Sequence, residues 1–584
     1  MCGFVGVFEA ADALQLTARA IATLHHRGPD DGAHWVSVDG RTCLAHRRLS
    51  IIDLTDAGRQ PMVSADGRHV LVFNGEIYNY VELRRELQEY PFQSGSDSEV
   101  ILAAFQRWGS ACLERFIGMF AFAIYEPDSG ALFAARDRFG VKPFFLADLA
   151  GGGLAIASEI KALHSVGVTI EPDPIAWAAY LTSGDSDASE RTFWRDVRSL
   201  PAGHALERRD GTNRAWQWYD VAAATGTDLD TRPEGEVIEE YASLLVDAVR
   251  LRFRADVPVG INVSGGLDSS TLLAAVHAVQ GEDSDVSAFT FVTGDPTYDE
   301  LPWVNDMLAQ TKHPSIVCEL RADDVPDLAV EVQWHQDEPF GGIPTLAYAS
   351  IFEHARDAGV TVLLDGQGMD EQWAGYDYYR RLGGSAAPVV QGTASAPTRP
   401  GCVSADLRAL AEQRAPVRAP FADPLRDTQV RDLTRTKLPR ALRFNDRVSM
   451  RSSRELREPF LDHRLVELAL RQPPERKISD TTGKVLLRRI VGDRLPGRVV
   501  EAPKRPLQTP QREWLRGPLR PWVTDTIDAA IELAPEWLIA DAVRRERDDY
   551  FDGHGDNSFF IWQWISAGLL LDRARLEAAS RTLG

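Results

Sequence analysis

The chain has 584 residues, of which 44% are hydrophobic and 26% charged, and carries a formal net charge of −21. One hydrophobic core does not grow to that length, so two or more domains are expected. The acidic balance excludes nucleic acid or an anionic membrane as the main partner, because counterion release rewards basic surfaces. The start shows no basic n-region ahead of an apolar core, and no apolar run approaches a bilayer span, so a cytoplasmic protein without membrane contact is expected. Five cysteines, at positions 2, 43, 112, 318 and 402, are odd in number and lack CxxC spacing. That pattern argues against a disulfide framework and a zinc knuckle, and Cys43, Cys112 and Cys318, in or beside apolar stretches, read as buried thiols.

The opening MCGFVGVFEA sets Cys2 directly behind the initiator methionine. If Met1 is removed, Cys2 carries a thiol and a free α-amine, nucleophile and base on one residue, although a terminal cysteine without a role is an equal reading of these ten residues alone. Through about residue 210 the chain runs in short alternating or apolar stretches, CLAHRRLSIIDL, HVLVFNGEIYN, MFAFAIYE and ALFAARD, broken by Gly and Asp turns, with helical spacing in SEVILAAFQRWG. This predicts an antiparallel α+β domain over residues 1–215, and the small, polar AAATGTDLDTRPEGE places a linker within residues 216–236. From residue 237 to 584, a helix (EVIEEYASLLVDAVRLRF), a buried strand (VPVGINV), a turn (SGGLDSS) and a helix (TLLAAVHAV) lead into SAFTFV and VTVLLDGQG. That alternation predicts an α/β domain with a parallel sheet. The Ala-, Pro- and Gly-rich GGSAAPVVQGTASAPTRPG lacks the apolar surface to order itself, and a mobile loop is expected over residues 381–425.

SGGLDSS lies between a strand and a helix, so its amides and the helix N-terminus face an anion. Gly265 and Gly266 let the backbone approach phosphate oxygens, and Ser264, Ser269 and Ser270 add hydroxyl donors; a Ser-capped glycine turn is the plain alternative. The Walker pattern GxxxxGK[ST] is absent. Residues Ser264, Gly265, Gly266, Leu267, Asp268, Ser269 and Ser270 match the SGGxDS signature of the ATP pyrophosphatases. The resemblance implies that the loop holds the leaving pyrophosphate, with Asp268 helping to bind Mg²⁺.

The first domain carries HRGPDDG, HRRLSIIDL, FNGEIYN, GSDSEVIL and RDRFGVKPFF in that order, and these resemble the class II glutamine amidotransferases, N-terminal-nucleophile hydrolases built of stacked antiparallel sheets between helices. With the loop above, nearly the whole chain resembles glutamine-hydrolysing asparagine synthetase. The resemblance implies Cys2 as the nucleophile on glutamine, the Asn74 side chain and Gly75 amide as oxyanion donors, Arg48 for the α-carboxylate of glutamine, and Asp97 and Glu76 for its α-ammonium.

Further on, YDE (Tyr298 to Glu300), HQDEPFGG, LLDGQGMDEQWAGY and NDRVSMRSSRELREPFLDHRLVE match the synthetase domain in order. The resemblance puts Asp365, Gly366 and Lys484 with ATP, Asp370 beside Asp268 at the metal, and Gln367, Asp370, Glu371, Lys504 and Arg505 on the acceptor side. Glu455 and Arg457 are either an internal ion pair or substrate contacts. The chain departs from the family in three places: Gln367 stands where Glu is usual, Trp373 stands where a Phe-Gly-Gly-Tyr ending is usual, and Arg505, Pro506 and Leu507 follow Lys504 in place of a Gly-Phe pair. The expected function is a glutamine-dependent, ATP- and Mg²⁺-requiring amidotransferase. Its acceptor is aspartate or, with slight preference, another carboxylic acid such as a sugar uronic acid or a natural-product acid. A cyclase or lactam synthetase of the same superfamily and a non-enzymatic sensor of ATP or glutamine are the alternatives, and a homodimer is left open.

Overall fold

The computed structural model describes residues 2–187, 189–382, 396–412, 419–502 and 509–582. Its strands, in chain order, are β1 (Gly3–Phe8), β2 (Asp31–Val36), β3 (Cys43–Arg48), β4 (Met62–Val63), β5 (Val70–Ile77), β6 (Gly118–Glu126), β7 (Ala131–Arg136), β8 (Phe145–Asp148), β9 (Leu154–Ala157), β10 (Arg198–Ser199), β11 (His204–Arg209) and β12 (Thr212–Gln217), followed by β13 (Val259–Asn262), β14 (Ala288–Val292), β15 (Ser315–Glu319), β16 (Val362–Leu364) and β17 (Glu455–Arg457).

The first twelve form two antiparallel sheets, ordered β10-β8-β9-β1-β3-β2 and β12-β11-β7-β6-β5-β4. Their period-2 patterning decides how they stack. Phe4 and Phe8 of β1 meet Val70 and Val72 of β5 and Ala121 and Ala123 of β6 in an apolar layer between the sheets. Val5 and Val7 point the other way, into the same cluster as Ala13 and Ala20 of the helix Ala13–Ala22. Leu71 and Phe73 face Val100, Ile101 and Ala104 of the helix Asp97–Trp108. The result is four layers, helix, sheet, sheet, helix, as the resemblance implies.

β13 to β17 form a parallel sheet ordered β15-β14-β13-β16-β17, as the recurring strand and helix pattern predicts. Helices cover it, among them Glu234–Arg252, Leu267–Gln280 and Ile343–Asp357. The two halves share apolar cores. Tyr78, Met119, Phe139 and Val141 of the first pack with Leu433, Leu438, Leu442 and Leu461 of the second.

Within residues 216–236, expected as linker, β12 ends at Gln217, Val221–Thr225 forms a short helix capped by Asp220, and Glu234 opens the helix Glu234–Arg252. Of residues 381–425, expected as a mobile loop, 383–395 and 413–418 lie outside the described residues. The rest holds a 3₁₀ turn at Pro400–Cys402, a helix at Ala405–Ala411 and the start of another at Pro424–Arg431, with Cys402, Val403 and Leu407 buried. A composition averaged over the stretch hides these apolar anchors. All five cysteines are free and buried. No helix among the described residues is long and apolar enough to cross a membrane.

Candidate active site

Cys2 stands at the mouth of β1, and three contacts fix it. Its nitrogen donates to Asn74 Oδ1 at 3.0 Å, its carbonyl accepts from Arg27 Nε at 3.0 Å, and its Sγ lies 3.9 Å from the Leu49 carbonyl. In the encoded chain this nitrogen is an amide N–H, and removal of Met1 makes the same atom an α-amine. Burial pushes the Cys2 thiol up while Arg48 pulls the other way, so a thiolate here needs a base at hand.

Asn74 lies on β5, and its Nδ2 is buried with no partner among the described residues. An orphaned amide donor costs about 1–3 kcal/mol, a cost that an arriving acceptor such as an oxyanion would remove. Gly75 has φ +148°, and a Cβ there would stand 2.0 Å from the Met119 carbonyl oxygen, so the β5–β6 pairing admits only glycine. Asp97 opens its helix, and its Oδ2 accepts from the Ile77 amide at 2.8 Å. Burial pushes the Asp97 carboxyl up to about 6 against the pull of that amide. Glu76 is held well above the usual carboxylate range by burial and then by the charges of Glu455 and Asp97. Two crowded carboxyls of this kind favour an arriving cation. Arg48 has a second occupation: Nη1 donates to the Thr55 carbonyl at 2.7 Å and Nη2 to that of Asp53, which clasps the loop carrying Leu49.

The second pocket forms at the carboxyl ends of the parallel strands, where open α/β sheets bind ligands. After β13, Ser264 N donates to Ser269 Oγ at 3.1 Å and Ser269 Oγ to the Gly266 carbonyl at 3.2 Å, closing the turn ahead of the helix Leu267–Gln280. Gly265 has φ +72°, and a Cβ there would lie 2.9 Å from Trp303 Cβ; a Cβ on Gly266 would lie 3.6 Å from Ser264 Oγ, an ordinary contact. Leu267 turns into the core and Ser270 Oγ is buried without a partner among the described residues. A cavity of about 150 Å³ opens here, lined by Ser264, Asp268, Tyr376, Lys484 and Arg488 among others.

Lys484 Nζ reaches Asp268 Oδ1 at 2.5 Å and Asp370 Oδ1 at 2.6 Å. Its backbone sits at φ +58°, a conformation rare for lysine, held by its amide donating to the Trp373 carbonyl at 3.1 Å. The loop carboxylate and that of the helix Met369–Gln372 therefore converge on one cation-sized point. Among the described residues no group of three or more His, Cys, Asp or Glu forms a metal cage; Asp268 and Asp370 are the carboxylates that could hold a Mg²⁺, which would stand where Lys484 Nζ now sits and would need its other ligands from phosphate oxygens and water. Glu371 accepts from Tyr376 Oη at 2.8 Å, and burial followed by the charge of Asp370 pushes its carboxyl up to about 7. Asp365, just past β16, accepts from Asn262 Nδ2 and Tyr348 Oη, both at 3.4 Å, and a Cβ on Gly366 would lie 3.6 Å from the Ser269 amide nitrogen. Gln367 Nε2 donates to Tyr348 Oη at 3.4 Å.

Residues 1–219 match the family model for the glutamine amidotransferase domain, and residues 240–576 match that for asparagine synthase. The chain belongs to the glutamine-hydrolysing asparagine synthetase family. A Mycobacterium tuberculosis relative is 33% identical over 95% of this chain and 93% of its own length. Asparagine synthetase [glutamine-hydrolyzing] 1 of Bacillus subtilis is 28% identical over 96% of this chain and 95% of its own, and asparagine synthetase B [glutamine-hydrolyzing] of Escherichia coli is 29% identical over 82% and 76%. The chain is thereby a carbon–nitrogen ligase of the type that takes nitrogen from glutamine.

In this family member the two halves are joined at the Cys2 pocket by Arg27, which the sequence did not single out, and by Arg457, which it did. Arg27, in HRGPDDG, is fully buried, holds the Cys2 carbonyl, and reaches Glu159 at 2.7 Å and Asp446 at 2.9 and 3.2 Å. Asp446 belongs to the helix Leu438–Arg451 of the synthetase half. Arg457 and Glu455 are an internal ion pair at 2.5 Å, and Arg457 also lies 3.6 Å from Glu76, so β17 abuts the glutamine pocket. Trp373 is fully buried against Tyr241, with ring centroids 5.0 Å apart. Lys504 and Arg505, assigned to the acceptor side, lie outside the described residues.

Proposed function

We propose that residues 1–215 hydrolyse glutamine at Cys2 and that residues 237–584 use ATP to adenylate a carboxylic acid, which the released ammonia then converts to an amide. The observation that carries this reading is the pairing at Cys2: its nitrogen is held at 3.0 Å by Asn74, whose Nδ2 is left without an acceptor. The freed α-amine takes the thiol proton, the thiolate attacks the amide carbon of glutamine, and Asn74 Nδ2 with the Gly75 amide receives the oxyanion. Asp97 and Glu76 hold the α-ammonium, and Arg48, through whatever donors its loop contacts leave, takes the α-carboxylate. In the second pocket Ser264 to Ser270 cradle the β- and γ-phosphates, Lys484 offsets their charge, and a Mg²⁺ between Asp268 and Asp370 would neutralise the leaving pyrophosphate.

The acceptor we favour is an acid other than aspartate. An aspartate pocket must pair two carboxylates and an ammonium, and leaving one of these charges unpaired in a desolvated site costs several kcal/mol. Gln367 offers no charge where the family resemblance implies Glu. Under saturating glutamine and MgATP, kcat/KM for aspartate should fall at least about 10-fold, or about 1.4 kcal/mol, below that for the best acid in a panel of uronic and biosynthetic acids followed by pyrophosphate release. Efficient asparagine formation by the wild type would refute this.

A further inference from the structure

β16 and β17 are parallel neighbours, with Leu364 opposite Arg457, and the Asp365 amide donates to the Arg457 carbonyl at 3.0 Å. The residues that leave the two strand ends, Asp365 and Glu458, are therefore adjacent, and both are buried, at 5% and 3% exposure. They differ in how they are occupied. Asp365 accepts from Asn262 and Tyr348. Glu458 receives the Gln367 amide on one oxygen, while its Oε2 is buried with no partner among the described residues. A carboxylate oxygen left bare at the carboxyl edge of a nucleotide-binding sheet is costly unless something else uses it.

We propose that Glu458 is the proton acceptor for the nitrogen that attacks the acyl-adenylate, in the place where Gln367 supplies no base. The inference rests on the function proposed above. Ammonia gives its lone pair to the acyl carbon, forming the C–N bond. One proton of the resulting ammonium adduct passes to Glu458 Oε2. As the carbonyl re-forms, the C–O bond to AMP breaks and AMP leaves with its electron pair. The Gln367 side-chain amide cannot take that proton; its Nε2 is already a donor to Tyr348 Oη.

The surroundings suit the role. Burial and then the Asp365 charge raise Glu458 well above the usual carboxylate range, with Lys142, the Gln367 amide and Arg252 pulling the other way. A carboxylate of raised basicity is a better proton acceptor near neutral pH. The position also fits the traffic of nitrogen. Glu458 follows Arg457, which lies 3.6 Å from Glu76 in the glutamine pocket, and Lys142 Nζ, from the amidotransferase half, is 3.5 Å from the Leu456 carbonyl. Nitrogen that crossed from Cys2 along β17 would meet Glu458 at the strand's far end.

The test separates half-reactions, using the full chain with the best acid from the panel. Glu458→Gln is nearly isosteric. It should retain acid-dependent ATP–pyrophosphate exchange and should lower kcat for amide formation, with glutamine or with ammonium chloride, by about 10²–10⁴-fold, the range of general-base contributions. Adding Gln367→Glu to Glu458→Gln should restore part of the lost kcat, a rescue that a merely structural carboxylate would not give. Amide formation by Glu458→Gln within about threefold of wild type overturns the proposal. So does parallel loss of exchange and amide formation in a variant whose glutaminase activity and melting temperature are unchanged. A wild type that exchanges no pyrophosphate with any acid overturns the proposed function instead, and this inference with it.

Discussion

Cys2→Ala should reduce glutamine-dependent amide formation to background, a loss of at least about 10³-fold, because glutamine's amide carbon is left without a nucleophile. Ammonium-dependent amide formation should persist near the wild-type rate at saturating ammonium. The reason is geometric. Cys2 bonds to Asn74, Arg27 and Leu49, and to none of Ser264 to Ser270, the residues proposed to cradle phosphates. The smaller side chain leaves its backbone bonds to Asn74 and Arg27 intact, so the domain contact through Arg27 and Asp446 survives. Amide formation from both nitrogen sources, followed by chromatography, checks this. Loss of both in a variant with unchanged melting temperature would mean that Cys2 does more than release ammonia.

Asp268→Ala should act on the other half. Amide formation should fall by about 10²–10³-fold with either nitrogen source, since the variant would lose the carboxylate that positions Lys484 and that is proposed to hold Mg²⁺, the cations that would offset charge developing on the leaving pyrophosphate. Among the described residues Lys484 would keep one carboxylate partner, Asp370, at 2.6 Å. Glutamine hydrolysis measured without ATP should continue, because the Cys2 pocket is assembled from β1, β5 and the helix Asp97–Trp108, with β17 as a neighbour. Near-normal AMP production by this variant would contradict the assignment.

The layered amino-terminal fold was legible because side-chain alternation is local. Phe4 and Phe8 against Val5 and Val7 already sort β1 into two faces, and the Ser96 hydroxyl, which accepts from the Ser98 amide, starts the predicted helix at Asp97. The strand, turn and helix around SGGLDSS were legible for the same reason, lying within 22 residues, Val259 to Gln280. What was not legible depends on contacts distant in sequence. Arg27 binds Asp446 across 419 positions, and nothing near HRGPDDG marks that partner. Gly75 lies in a strand-like stretch where nothing marks a need for glycine, yet that need comes from the Met119 carbonyl on the neighbouring strand. Glu458 sits in a run of motif residues and looks like any surface glutamate until β16 and β17 pair and bury it beside Asp365. The 3₁₀ turn Pro400–Cys402 and the helix Ala405–Ala411 were not read from the sequence, because the few buried side chains that anchor them are diluted in the average composition of a polar stretch.

The central claim is that nitrogen released at Cys2 reaches the second pocket inside the protein. The most direct measurement supplies glutamine labelled with ¹⁵N in the amide together with excess unlabelled ammonium, MgATP and the best carboxylic acid, and reads the product amide by mass spectrometry. The account predicts ¹⁵N enrichment of the amide far above that of the ammonium in bulk solution, falling to zero in Cys2→Ala. An amide whose label matches the bulk ammonium would contradict it.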